Sequence, residues 1–467
     1  MRTAAALVAL LTFAQTPATP IQSPLVLTRH FIAAGARYQY VPFEVAAGTE
    51  SLTITYKYSG DAGSSVIDLG LFEPGPVALG TPGFRGYSGG SQRTVTVGRN
   101  NASPGYTTGP IPAGTWHVML GMYKVAPAGV DVQITITEAR EDAATKTAAA
   151  PPKPVRLTTL PESRWYSGAL HLHTVHSDGS LSPAALADAT RAAGLDFIIV
   201  TDHNNTAHRR EPMPSSPLHI VGEEVTTPAG HANVWGLPDR AWIDFRVMPN
   251  DPGAAGAISG FVAAAHKAGA LFAINHPADN CAGCSWEQIV PDGIDAVEIW
   301  QNEKAPRDAE VAFWDRQLRA GRHVTAVGVS DWHRLPSRID MAAVRVQAAD
   351  LTEPAILDGL RRGHVIVMRD AQTEPPSVRA RCGSSKAGVG DTLACSTGDT
   401  LTLEVSAHAI HDGRADFIWN AARMTSRALD GSATFSMPAA AGYLRAHLYE
   451  ADGSAVAITN PVYVEIR

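Results

Sequence analysis

The chain has 467 residues, 45% hydrophobic and 18% charged, with a formal net charge of -7. That length predicts about two to four domains, each able to bury a core. The negative balance argues against nucleic acid as the main partner, and no nucleic-acid contact is expected.

The first residues read as an export signal. Arg2 supplies a positive charge, Ala4 to Phe13 form a short apolar run, and Thr12 and Ala14 are small enough for a signal-peptidase site. The run is too short to span a bilayer, and Pro17 and Pro20 break the chain directly after it. Residues 1–22 are therefore read as a signal peptide and short lead-in. No membrane span is expected after its removal, and the mature protein is placed in the periplasm or outside the cell. Cys281, Cys284, Cys382 and Cys395 fit disulfides in such a compartment, most simply as the two local pairs. "CAGC" also leaves open half a zinc knuckle or a redox pair.

Residues 23–142 contain short β-rich runs such as "SLTITYKY", "SVIDLGLF" and "VDVQITITE", separated by Gly, Pro, Asn and Asp. This predicts an N-terminal β-sandwich or jelly roll. Residues 143–156, rich in Ala and Pro, read as a linker. Over residues 157–372 helical patterns alternate with apolar strands, which predicts parallel strands with crossover helices in an open sheet or a barrel. Ser182, Pro183 and Gly194 mark the start and stop of one such helix. Residues 373–467 return to a β texture and predict a small C-terminal sandwich.

The ends of the middle strands carry the chemistry. "GALHL" delivers His171 and His173, which share one face because strand side chains alternate, and Asp178 follows. "FIIV" runs into Asp202 and His203, "LHIV" into Glu223 and Glu224, and "LFAI" into Asn275 and His276. "DAVEI" carries Glu298, and "VTAVGV" runs into Asp331 and His333. Sites of parallel α/β folds gather at such ends. Carboxylates crowded there repel one another unless cations are present. Mixed N and O donors suit zinc, manganese or iron.

In that order, "HLHTVHSDG", "TDHN", "NHP" and "SDWH" resemble the PHP (polymerase and histidinol phosphatase) superfamily of metal-dependent hydrolases. "GEEVTTPAGH" and "AVEIWQN" look like its CehA/McbA branch, which includes a carbaryl hydrolase. The resemblance covers the middle domain and implies an α/β fold, a distorted (β/α)7 barrel flanked by the two β-sandwich domains. It implies two or three divalent metal ions. His171, His173 and Asp331 match one site. Glu224, or else Glu223, would bridge to a second site with His276. Asp178, His203 and His333 match a third. Glu298 is a looser match to a ligand, and Asp202 to a residue that orients an imidazole.

Asp178, His231 and Arg334 are candidates for contact with the reacting substrate, and His176 is a further histidine of the first motif. Trp235, Trp300 and Trp332 are candidates for an aromatic pocket. The expected activity is hydrolysis of a small-molecule or surface-polymer ester by a metal-activated water, with phosphoester cleavage the leading reaction. Carboxylic ester, amide or carbamate cleavage at the same site is the alternative. A non-catalytic metal-binding scaffold, whose β domains bind glycan or protein, is the other.

Overall fold

The computed structural model describes residues 24–60, 63–140, 164–228, 230–239, 241–247, 254–279, 284–286 and 289–467. The expected signal peptide and linker lie outside them. Within them the chain is mixed α/β, mostly sheet with few helices. No helix among the described residues is long and apolar enough to cross a membrane.

The N-terminal unit holds β1 (Leu25–Phe31), β2 (Tyr38–Val45), β3 (Ser51–Tyr58), β4 (Val66–Phe72), β5 (Phe84–Gly89), β6 (Thr94–Gly98), β7 (Gly114–Lys124) and β8 (Val130–Ala139). They form two antiparallel sheets, ordered β1-β8-β3-β6 and β2-β7-β4-β5. Strand β3 alternates, with Leu52, Ile54 and Tyr56 buried between more open neighbours, as expected of a strand with one wet face. Strand β4 is buried along nearly its whole length, because a second partner covers its outer face. That partner is the middle unit. Phe84 stacks on Trp242 with ring centroids 4.2 Å apart, and Arg246 Nη1 donates to the Val77 carbonyl at 2.8 Å.

The middle unit runs β9 (Arg164–Ala169), α1 (Pro183–Ala192), β10 (Phe197–Val200), β11 (Leu218–Thr227), β12 (Gly230–Trp235), α2 (Ala254–Lys267), β13 (Leu271–Ile274), β14 (Ala296–Gln301), α3 (Asp308–Arg319), β15 (Thr325–Val329), β16 (Val344–Ala348), α4 (Glu353–Arg361) and β17 (Val365–Met368). Helix α1 begins as read: Ser182 Oγ accepts from Ala185 N, Pro183 leads the helix, and Gly194 follows it at φ +80°. Strands β10 and β13 are buried on both faces, as crossover helices require.

The sheet does not close into the expected (β/α)7 barrel. Its path is β15-β14-β13-β12-β11-β10-β9-β16-β17, continuing into the C-terminal unit. Strand β12 runs antiparallel to both neighbours, and β16 pairs antiparallel with β9 from Gly168 to Arg164. The edge of β9 that β15 would need is thus occupied. Strand β15 instead packs its Gly328 against Val367 of β17, where a Cβ on Gly328 would lie 2.7 Å from the valine Cγ1. The segments that follow β9 and β15 meet at the rim. There His173 N donates to the Trp332 carbonyl at 3.0 Å and Leu172 bridges Trp332 in parallel.

The C-terminal unit contains β18 (Ser377–Cys382), β19 (Ser385–Ala387), β20 (Thr392–Cys395), β21 (Thr400–Ala407), β22 (Gly413–Trp419), β23 (Ala422–Leu429), β24 (Gly431–Pro438), β25 (Gly442–Tyr449), β26 (Ala455–Thr459) and β27 (Val462–Ile466). Pairing of β17 with β26 makes its larger sheet continuous with that of the middle unit. Arg445 on β25 forms a buried two-pronged ion pair with Asp315 on α3, one prong at 3.0 Å. Cys382 and Cys395 form a disulfide. Cys284 is also disulfide-bonded, and Cys281 lies outside the described residues.

Candidate metal centre

The strand ends converge on one carboxylate. Glu224 Oε1 lies 3.4 Å from His171 Nε2, 3.1 Å from His231 Nδ1 and 3.5 Å from His276 Nε2. Its Oε2 lies 3.5 Å from His173 Nε2 and 2.7 Å from His203 Nδ1. Parity along β11 decides between the paired glutamates. Glu224 faces the imidazoles, whereas Glu223 faces the opposite side and accepts from Ile243 N at 2.8 Å. Burial pushes Glu223 up to about 8, outweighing the Ile243 N–H and the charge of Arg209.

Asp331 is the second hub. Its Oδ1 is 3.2 Å from His171 Nε2 and 3.1 Å from His173 Nε2, and its Oδ2 accepts from Gln301 at 2.8 Å. His171, His173 and Asp331 thus form one compact donor group. A second group joins His173, Asp178, His203 and His333, with Asp178 Oδ1 3.6 Å from His203 Nε2 and 3.3 Å from His333 Nε2. A third brings His231 and His276 beside Glu224. Cys284 stands close to these two histidines, but its sulfur is engaged in a disulfide. Asp331 and His276 hold left-handed backbone conformations, at φ 45° and 24°. Strain of this kind, at residues that leave their strands to turn inward, collects at functional sites.

Outer partners set the ring orientations. Glu298 accepts from His171 Nδ1 at 2.9 Å, from Asn233 at 3.1 Å and from the His276 backbone N–H at 2.9 Å. These bonds orient His171 and His276, and Glu298 also forms a compact donor group with these two histidines, the place of the ligand expected of it. His173 Nδ1 donates to Ser177 Oγ at 3.3 Å, and Ser177 donates to Asp202 at 2.7 Å. Asp202 therefore orients His173 through a serine, leaving Nε2 free for a cation.

Electrostatics describe a site that demands positive charge. Burial opposes charge on His171, yet Asp331, Glu224 and Glu298 outweigh it and hold the imidazole well above its ordinary range. Glu224 and Asp178 likewise overcome burial at His203, and Glu224 and Glu298 at His276, raising both to about 9. His333 is raised by Asp178 and Asp331 against burial. Burial lowers His173 to about 4, helped by His203, and also lowers His231. Glu224, Asp331 and Asp178 are held below the usual carboxylate range by these imidazoles despite burial. Protons on imidazoles balance the carboxylates here, and divalent cations would do so without them. His171 Nε2 and Glu224 Oε2 are buried beside opposite charge yet make no well-aligned hydrogen bond among the described residues. Such buried donor atoms, in a mixed N and O set, fit divalent cations.

The remaining expected site residues fall elsewhere. Arg334 is exposed and donates to the Asp178 carbonyl at 3.0 Å, outside the cavity before the cluster. His176 is buried between the Gly105 N–H and Glu211. Trp235, Trp300 and Trp332 are buried in the core rather than lining a pocket: the first two lie on strands β12 and β14, and Trp332 follows β15 and packs beside Leu172. His231, read as a substrate contact, stands among the cluster's imidazoles, since the reversed strand β12 starts at the rim where its neighbours end. The cavity, about 410 Å³, reaches Asp178, His203 and His231 on one side. Its other wall, with Arg37, Tyr38, Asp68, Tyr87 and Tyr123, comes from the N-terminal sandwich. Sequence reasoning missed that wall. Its one trace is Asp68, a charge inside an apolar strand.

Fold and site together define a multi-unit α/β protein with a histidine and carboxylate centre suited to divalent cations. No family model matches the chain, and no curated protein does. Among solved structures it is similar to a two-domain protein from Bacteroides vulgatus containing a predicted PHP-like metal-dependent phosphoesterase. The match has 15% identity and a TM-score of 0.36, and covers 68% of this chain and 100% of that one. A putative metal-dependent phosphoesterase from Bifidobacterium adolescentis matches at 17% identity and TM-score 0.28, over 37% of this chain and 90% of that one. An amidohydrolase from Chromobacterium violaceum matches at 15% and 0.26, over 37% and 89%. At TM-scores of this size, the geometry of the site itself bears on function.

Proposed function

We propose that this protein is an exported metal-dependent hydrolase, with phosphoester cleavage as its leading reaction. The observation that carries the reading is Glu224, one buried carboxylate on which five imidazoles converge. In this reading His171, His173 and Asp331 would hold one cation, Glu224 with His231 and His276 would hold a second, and Asp178, His203 and His333 would hold a third. Bound zinc, manganese or iron ions would acidify a water and draw charge from a substrate oxygen.

The chain's own residues fix the rest. Glu298 and the Ser177–Asp202 relay hold the protons of His171 and His173 on Nδ1. Burial of His171, His173 and Glu224 keeps bulk water from the cluster's inner side. His203, His231 and Asp178 face the cavity, where a substrate would lie. The Cys382–Cys395 disulfide supports an oxidising compartment, periplasmic or extracellular. A second reading, cleavage of a carboxylic ester, amide or carbamate, is favoured by the tyrosines of the cavity wall and by its having a single arginine and no lysine among the described residues.

The test is hydrolysis by mature protein stripped of metal and reloaded with zinc, manganese or iron. The substrates are a phosphomonoester, a phosphodiester, a carboxylic ester and an aryl carbamate with coloured leaving groups. Metal-dependent phosphoester turnover lost in His173→Ala and Asp331→Ala supports the first reading. Turnover confined to the ester or carbamate supports the second. Silence throughout, with metal bound, overturns both in favour of a scaffold.

A further inference from the structure

The two walls of the cavity differ in origin. The middle unit supplies Asp178, His203 and His231, while the end of sheet β2-β7-β4-β5 supplies the opposite wall. The sandwich residues hold no place in the cluster, so cation binding does not explain them.

Asp68 is the informative member. Its Oδ2 accepts the Tyr87 hydroxyl at 2.8 Å, and its Oδ1 accepts no hydrogen bond among the described residues. Burial pushes its pKa up to about 6, although Tyr87 and Arg37 both favour the charged form. A buried carboxylate with an open oxygen is costly unless something donates to it. Two glycines keep that oxygen uncovered. A Cβ on Gly90 would lie 3.7 Å from Asp68 Oδ1, and one on Gly89 4.0 Å away.

Two ligand chemistries donate to a carboxylate in a tyrosine-rich wall: an ammonium, which also favours aromatic faces, and a hydroxyl. Arg37 decides between them. Its Nη1 is fixed by the Met122 and Tyr123 carbonyls, each at 2.8 Å, and its charge acts on Asp68 and Tyr38. A fixed cation beside the carboxylate offsets its charge and repels a second cation. A hydroxyl meets no such repulsion, and a group with several hydroxyls can use both the acceptor and the donor.

We propose that the N-terminal sandwich forms a polyol-binding subsite, in which Asp68 and Arg37 hold the uncleaved, hydroxyl-rich part of the substrate, a sugar or cyclitol, against Tyr38 and Tyr87. Calling that group part of a substrate rests on the hydrolase reading; its binding does not. The volume of about 410 Å³ lies in the usual range for small-molecule sites.

Saturation-transfer NMR on the full chain tests this, with methyl glucoside, myo-inositol, choline and 4-nitrophenol as separate probes. Transfer to methyl glucoside or myo-inositol is expected, and Asp331→Asn, which lies outside the cavity wall, should retain it. Asp68→Asn should weaken it about tenfold or more, the scale of a lost hydrogen bond to a charged group. Gly90→Val should do the same by covering Oδ1, and it leaves the Tyr87 bond intact if Asp68→Asn fails to fold. Absence of transfer to both hydroxylic probes, preference for choline or 4-nitrophenol, or equal binding by both variants would overturn the proposal. Polyol binding without hydrolysis of any ester would remove the hydrolase reading alone. Hydrolysis without polyol binding would remove the subsite alone.

Discussion

Replacing Glu224 by Gln keeps the shape of the side chain and removes the charge on which the imidazoles converge. Glu223→Gln is the matched control, one residue away on the opposite face. A ligand that binds only the folded state, at a concentration one hundred times its Kd, stabilises the fold by about 2.7 kcal/mol. Loss of even a partner of a metal ligand weakens affinity by about 10–100-fold. A bridging carboxylate should reach at least the upper figure, which leaves about 0.4 kcal/mol at the same cation concentration. At about 2–4 °C per kcal/mol, a metal-induced rise in Tm of about 5–10 °C shrinks to about 1 °C. Scanning calorimetry of chelated and reloaded protein, with metal content by mass spectrometry, measures both quantities. The rise should survive in Glu223→Gln and nearly vanish in Glu224→Gln. The reverse pattern, or full metal content in Glu224→Gln, would refute the assignment.

Glu310 on α3 is buried with neither carboxylate oxygen hydrogen-bonded among the described residues, and burial raises its pKa to about 7. Between the ordinary carboxylate pKa and about 7 the folded state holds a proton that the unfolded state has lost, so stability falls as pH rises through that window. Glu310→Gln should therefore gain up to about 3 kcal/mol over the parent between pH 4.5 and 8 in urea unfolding, whereas a pH-independent difference would contradict the assignment. Arg445→Met leaves Asp315 buried and unpaired and should cost about 3–5 kcal/mol, most of it recovered on adding Asp315→Leu. Equal losses in the single and double variants would argue against the pair. Gly179→Ala would place a Cβ 2.2 Å from the His173 carbonyl oxygen, so His173 must move. Manganese titration should weaken by about 10–100-fold, and an unchanged isotherm would discount that contact.

Much of the centre was legible because strand ends announce themselves. An apolar run that stops at His, Asp or Glu places that side chain at the rim of a parallel sheet, and His171, His173, His203, His276 and Asp331 were found this way. The choice between Glu223 and Glu224 was not legible, since both belong to one strand and only the pleat relative to its neighbours says which faces inward. The role of Glu298 was not legible for a related reason. A carboxylate at a strand end is a ligand or an orienting acceptor according to what donates to it, and the donors, Asn233 and the His276 N–H, come from other strands.

The sequence by itself determined the alternation of the N-terminal strands, the α1 boundaries at Ser182 and Gly194, and most of the donor side chains gathered at the strand ends. These are local matters of side-chain period, capping and donor chemistry. Only the tertiary structure decided that β16 takes the edge of β9 and keeps the sheet from closing, that His231 joins the cluster from a reversed strand, and that Asp68 faces the site across the cavity. Periodicity tells a strand which face to bury. It does not say what will cover that face, because the covering element is chosen by packing between segments far apart in the chain.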